Sequence, residues 1–150
     1  MAPWAGQVLS EACAQGQVIV VCMDQTDVGE RFAVLMLSVR VGERALPLAW
    51  RVEAGCANIG WKKQREVLDQ VKGWIPQGAQ VMLLADRFYP SEKLFTWLDE
   101  TGWHYRLRLK GNLTVDVGQR DIETTGDLAA GATILPNAIS VSRLSTNHEN

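Results

Sequence analysis

The chain has 150 residues, of which 47% are hydrophobic and 21% charged, a composition that is ordinary for one globular domain. Its net charge of −2 does not favour a nucleic-acid binder, although DNA contact depends on local patches of charge rather than on the total. Three cysteines without a CxxC spacing argue against a disulfide framework or a zinc site; with no signal peptide or membrane-length apolar run, we expect a cytoplasmic protein.

The first strand signal follows a short N-terminal segment. Residues 1–16 mix Gly, Ala, Ser and Gln, and we assign them as an N-terminal arm that is either a short helix or a loose segment. Val18 to Met23 are apolar on both parities, which is typical of a strand covered on both faces. We expect this strand to end on Asp24.

Two further strands follow at short intervals. Each of them, Arg31 to Arg40 and Arg44 to Val52, comes after a turn signal that contains glycine. Short turns between successive strands predict an antiparallel meander. Pro47 lacks an amide hydrogen to donate, so the third strand is expected at an edge of the sheet.

The second half of the chain alternates helices and strands. The apolar spacing predicts a helix over Trp61 to Trp74 and a buried strand that starts at Val81 and ends on Asp86. A second helix ending near Gly102 and a strand with strict alternation complete the order β-β-β-α-β-α-β. This order predicts an α/β fold in which a mixed sheet has its first and fourth strands, the two most apolar, side by side.

Asp24 and Asp86 each follow an apolar strand directly. If these strands are parallel neighbours, the two carboxylates lie roughly 5 Å apart at the carboxyl edge of the sheet, where ligands of α/β proteins collect. Carboxylates that close repel each other unless a cation lies between them, and oxygen ligands suit Mg²⁺ or Mn²⁺. The alternative is that both are structural aspartates of turns or helix caps.

Two separated segments carry motifs in a fixed order. The segment from Met23 to Val52 contains Asp-x-Thr, a hairpin and a strand with Leu-Pro-Leu. The segment from Leu83 to Asn112 contains Leu-x-Ala-Asp-Arg, a helix and Gly-Trp-x-Tyr-x-x-Arg-x-Lys. Together they resemble the catalytic domain of insertion-sequence DDE transposases of the bacterial cut-and-paste type. The resemblance implies an RNase H-like fold and metal-dependent cleavage and strand transfer of DNA, with Mg²⁺ or Mn²⁺ held by the catalytic acids Asp24 and Asp86. It also implies transposon ends as the DNA partner.

The sequence departs from this family pattern in two places. Phe88 follows Arg87 where the family often has Gly, and the Tyr-x-x-Arg-x-x-x-Glu pattern that carries the third acid is not found. We therefore interpret residues 17–110 as a partial catalytic domain and residues 111–150 as the start of a β-rich insertion with a frayed tail. The chain is then a truncated transposase that lacks the catalytic Glu, and we expect it to be inactive on its own. The alternative is a catalytically dead remnant that binds DNA or interferes with a full-length partner by mixed assembly; a homodimer is a further possibility.

Basic side chains share one parity of the last predicted strand. Arg106, Arg108 and Lys110 follow His104 on one face, where they are candidates for contact with DNA phosphates. The alternative is a solvated sheet edge guarded by charge. Arg87, next to Asp86, is a candidate for a phosphate contact or for an ion pair with a carboxylate. An aspartyl-nucleophile phosphatase is disfavoured, because its Asp-x-Asp spacing is absent after the first strand.

Overall fold

The computed structural model describes residues 3–55, 58–86, 89, 91–108, 114–115 and 123–124. Its elements in chain order are α1 (Pro3–Ala12), a 3₁₀ turn (Ala14–Gly16), β1 (Ile19–Val28), β2 (Phe32–Val41), β3 (Arg44–Ala54), α2 (Trp61–Lys72), β4 (Val81–Ala85), α3 (Glu92–Thr101), β5 (His104–Leu107), β6 (Thr114–Val115) and β7 (Glu123–Thr124). From β1 to β5 the order is the predicted one. The α/β fold with a mixed sheet is therefore confirmed.

Strands β1 to β5 form one sheet in the order β3-β2-β1-β4-β5. The meander β1-β2-β3 is antiparallel, whereas β4 runs parallel to both β1 and β5. The first and fourth strands are neighbours, as predicted, and β3 lies at an edge, as Pro47 indicated. A register shift in the β2–β3 pairing next to Pro47 leaves Leu48 as the extra residue of a bulge.

The prediction that the first strand ends on Asp24 was wrong. β1 continues to Val28, because β2 pairs with it as far as the Val28 and Phe32 pair beside the hairpin turn. Gly29 makes this turn with a positive φ of 59°, which glycine adopts without strain. The parallel pairing with β4, in contrast, ends at Met23 and Ala85. Asp24 thus lies where β1 leaves its parallel neighbour and keeps its antiparallel one.

One face of the sheet forms the core. Val39, Val21 and Leu83 lie in one row across β2, β1 and β4, and all three have no exposed surface. Residues of the opposite parity are less covered: Trp50 and Val52, on β3, are 58% and 49% exposed. The alternation of strand side chains therefore gives the sheet a fully buried face and a partly open one.

Helix α2 packs on the buried face. Arg51 of β3 lies 3.1 Å from Glu66 of α2, and Lys63 of α2 lies 3.6 Å from Glu53 of β3. Val67, Leu68 and Val71 of the same helix are buried, at the spacing that places them on one side of the helix. These contacts hold the start of α2 beside the end of the meander.

Helix α3 lies next to α2 and also covers β5. The Trp97 indole Nε1 donates a hydrogen bond of 2.8 Å to Asp69 of α2, and the ring of Phe95 contacts that of Tyr105 with centroids 5.4 Å apart. The helix begins after Ser91, whose hydroxyl accepts from the amide of Leu94. It ends at Gly102, which takes the left-handed conformation with φ of 69°.

The two ends of the chain add smaller elements. Ala5 and Leu9 of α1 are completely buried, so residues 3–12 form a helix that joins the core. β6 and β7 make a short antiparallel ladder.

Most of residues 111–150 lies outside the described residues, so the β-rich insertion and the division into arm, partial catalytic domain and insertion stay predictions. None of the helices among the described residues has the length and apolar character needed to cross a bilayer.

Candidate metal centre

The structure brings Asp24 and Asp86 to the same edge of the sheet. β1 and β4 pair in parallel up to Met23 and Ala85, and the next residue of each strand is an aspartate. Neighbouring strands are about 4.8 Å apart, so the two aspartates lie level and close at the carboxyl ends of the strands. Asp24 is exposed and the Asp86 side chain is 42% exposed, which leaves room for a hydrated cation.

A third strand extends this row. Leu107 of β5 pairs with Ala85, and the amide of Arg108 donates to the carbonyl of Ala85 at 3.0 Å. Arg108 therefore comes level with Asp86, and its Nη1 lies 3.8 Å from an Asp86 carboxylate oxygen. Because the Arg108 side chain is 77% exposed, this ion pair adds little to stability in water, and the guanidinium is open to a ligand.

An open groove of about 470 Å³ runs along this edge. It is lined by residues from the ends of three parallel strands: Met23, Asp24, Leu84, Ala85, Asp86, Arg106, Leu107 and Arg108. Arg106 is exposed, whereas its neighbours Tyr105 and Leu107 are half-buried, as the alternation in this strand predicted. Carboxylates and guanidinium groups thus line the same groove.

Tyr89 is part of this site, although its sequence context gave no signal for it. Its amide donates to the carbonyl of Asp86 at 3.2 Å, and only 5% of the residue is exposed. Burial, followed by the negative charges of Asp24 and Asp86, raises the pKa of the Tyr89 phenol well above its usual value. The phenol therefore resists ionisation more than an exposed tyrosine does and lies within electrostatic reach of both aspartates.

We expect the Tyr89 phenol of the folded chain to stay protonated well above pH 10. An unfolded tyrosine ionises at about pH 10. Because the pKa of Tyr89 is higher in the folded chain, its contribution to the free energy of unfolding is complete below that pH and is lost as the pH rises further. The chain has two tyrosines, so an ultraviolet titration of Tyr105→Phe reports on Tyr89 alone. Ionisation of that variant near pH 10 while it remains folded would contradict the placement of Tyr89.

The donor set matches Mg²⁺ or Mn²⁺ better than a metal held entirely by protein. Mg²⁺ is held through one or two carboxylates, with water and substrate phosphates as its other ligands. Asp24 and Asp86 supply two carboxylates at an open edge. Among the residues that the structure describes, no group of three or more His, Cys, Asp or Glu converges on one point, as a closed metal cage would require.

Two of the predicted site residues, Arg87 and Lys110, lie outside the described residues, so their roles stay predictions. The position of Arg108 was predicted only to the level of a face. The register of β5 against β4 additionally places it beside Asp86. Arg108 forms an ion pair with the Asp86 carboxylate. An ion pair of this kind is one of the two roles for which the sequence makes Arg87 a candidate.

A family model described as a transposase DDE domain matches residues 30–142, more than half of the chain. The match confirms the resemblance carried by the two sequence motifs. The five-stranded mixed sheet with its helices is the RNase H-like fold that the resemblance implied. Asp86, Arg106 and Arg108 lie inside the matched range, and Asp24 precedes it. The search of curated proteins found no match to this chain.

Proposed function

The chain belongs to the transposase DDE domain family, and we propose that it acts in DNA transposition through metal-dependent cleavage and strand transfer, with Asp24 and Asp86 as metal-binding catalytic carboxylates. The observation that carries this proposal is the level placement of the two aspartates at the carboxyl ends of neighbouring parallel strands. Both aspartates line the same open groove. Their mutual repulsion favours a cation between them.

Asp24 and Asp86 would hold Mg²⁺ or Mn²⁺ in the groove. When bound, the ion activates a water or a 3′-hydroxyl and stabilises the leaving oxygen of a phosphodiester. Asp24 lies in β1, Asp86 follows β4 directly, and both line the groove. Arg106 and Arg108, on the next strand, supply positive charge beside the carboxylates, where a DNA phosphate would lie.

We expect Arg106→Gln to weaken binding of duplex DNA and to reduce the slope of log affinity against log salt by about one, because a phosphate contact is lost. Arg108 contributes in the same way, although part of its charge is directed at Asp86. Arg44→Gln is the matched control, since Arg44 is exposed at the start of β3, far from the groove along the sheet. Equal salt slopes for Arg106→Gln, Arg44→Gln and the unmodified chain would contradict a DNA contact at Arg106.

A cleavage assay with labelled DNA and Mg²⁺ or Mn²⁺ tests the proposed chemistry. Cleavage by the purified chain that is lost in both Asp24→Ala and Asp86→Ala would support catalysis by these two carboxylates. A chain that binds DNA but leaves it intact with either ion would contradict the catalytic proposal. That result would favour the second candidate, a remnant that binds DNA or interferes with a full-length transposase by mixed assembly. The second candidate has one observation in its favour, because no third acid joins Asp24 and Asp86 within the described residues.

A further inference from the structure

Two glutamine side chains hold Ile59, which lies just before α2: Gln25 links it to β1 and Gln64 links it to α2. The amide of Ile59 donates to the Gln25 side-chain carbonyl at 3.0 Å, and the side-chain amide of Gln64 donates to the carbonyl of Ile59 at 2.7 Å. Both backbone polar groups of Ile59 are thus satisfied by glutamines, one from β1 and one from α2. Ile59 is itself 4% exposed; its bond to Gln64 is buried and its bond to Gln25 is partly buried.

Gln64 is a buried polar residue in the middle of an apolar surface. It is 8% exposed and lies on the side of α2 that carries Val67, Leu68 and Val71. A polar side chain at such a position is costly unless it is hydrogen-bonded, and an apolar residue of similar size would pack there without that cost. A glutamine is therefore favoured at position 64 because it donates to the carbonyl of Ile59; packing alone would favour an apolar residue.

Gln25 connects this contact to Asp24. The backbone amide of Gln25 donates to the Asp24 carboxylate at 2.9 Å, while the side-chain carbonyl of Gln25 accepts from the backbone amide of Ile59. At this point β1 has passed the end of its pairing with β4 but still pairs with β2, so the bond to Ile59 is an additional constraint on this part of β1. Three hydrogen bonds then run in series from the Asp24 carboxylate to helix α2.

We propose that Gln25 and Gln64 are positioning residues that act through the backbone of Ile59 to fix the Asp24 carboxylate for metal binding. This role rests on the proposed function of Asp24. Partners that orient a metal ligand from outside the coordination sphere commonly change metal affinity by 10- to 100-fold when they are removed. Because three hydrogen bonds separate Gln64 from Asp24, we expect effects near the lower end of that range.

The test is the affinity of the full chain for Mn²⁺, measured from the electron paramagnetic resonance signal of the ion at a temperature where every variant is folded. Gln25→Met removes the acceptor for Ile59, and Gln64→Met removes the donor, with little change in side-chain size. We expect each to raise the Mn²⁺ dissociation constant roughly tenfold. The double variant should bind Mn²⁺ about as weakly as the more affected of the two single variants, because both bonds constrain the same residue.

The matched control is Gln70→Met, which changes an exposed glutamine of the same helix and should leave Mn²⁺ affinity unchanged. Gln25 is half-buried, so Gln25→Met decides the question even if Gln64→Met fails to fold. Wild-type affinity in Gln25→Met, together with lost affinity in Asp24→Asn, would overturn this inference and leave the proposed function intact. Equal affinity in Asp24→Asn and the unmodified chain would overturn the proposed function itself.

Discussion

Replacing either Asp24 or Asp86 by asparagine is expected to remove Mn²⁺ binding, with a dissociation constant raised at least about 100-fold, beyond the usual effect of losing an outer partner. Asparagine keeps the shape of the side chain but removes the charge that attracts a hard cation. The register of β1 and β4 brings the two positions level, so both variants should lose affinity. Isothermal titration with Mn²⁺ measures the change.

The same variants should not be less stable without metal. Two neighbouring carboxylates repel each other, so neutralising one of them relieves repulsion and should keep or raise the melting temperature of the metal-free chain. Asp99→Asn, an exposed change on α3, is the control for a general loss of negative charge. Retained Mn²⁺ affinity in Asp86→Asn, or an equal loss in Asp99→Asn, would contradict a site formed by the two aspartates.

The second large effect is expected in the core beneath this edge. Leu83 has no exposed surface and lies between Val21 of β1 and Tyr105 of β5, on the strand that leads to Asp86. Leu83→Ala removes buried apolar surface and leaves a cavity, which should lower the free energy of unfolding by about 3 kcal/mol. Denaturation with urea, followed by circular dichroism, measures the change.

Val52→Ala is the matched control for Leu83→Ala. Val52 is a strand residue on the open face of the sheet, where it is 49% exposed, so its truncation should cost less than about 1 kcal/mol. If the free energy of unfolding fell by a similar amount in the two variants, the two faces of the sheet would be equally packed. That result would contradict the alternation of buried and less buried residues in β1, β2 and β4. A loss of Mn²⁺ affinity in folded Leu83→Ala would link the core directly to the site.

The sequence predicts the centre of the fold well, because apolarity on both parities marks a strand inside a sheet. Val18 to Met23 and the run before Asp86 are the two clearest such signals, and they are neighbours in the structure. The carboxyl end of β1 was harder to place. Beyond Asp24 the strand is polar and is extended only by its pairing with β2, which apolarity does not reveal.

The surroundings of the two aspartates depend on contacts that have no local signature. The alternation in β5 places Arg106 and Arg108 on one face, but the register set by the α3 crossover decides that Arg108 meets Asp86. Tyr89 is held at the site by the hydrogen bond from its amide to the carbonyl of Asp86. The bond from Ile59 to Gln25 joins residues far apart in the chain, and no periodic pattern anticipates it.

The most direct test of the metal centre is an anomalous difference map from crystals of the chain soaked in Mn²⁺. We predict a peak between Asp24 and Asp86, with an oxygen of each carboxylate at about 2.1 Å, the distance at which small divalent cations take oxygen ligands. The peak should be absent from crystals of Asp86→Asn. A Mn²⁺ peak that touches neither aspartate, or an empty edge in crystals that bind Mn²⁺ elsewhere, would contradict the assignment.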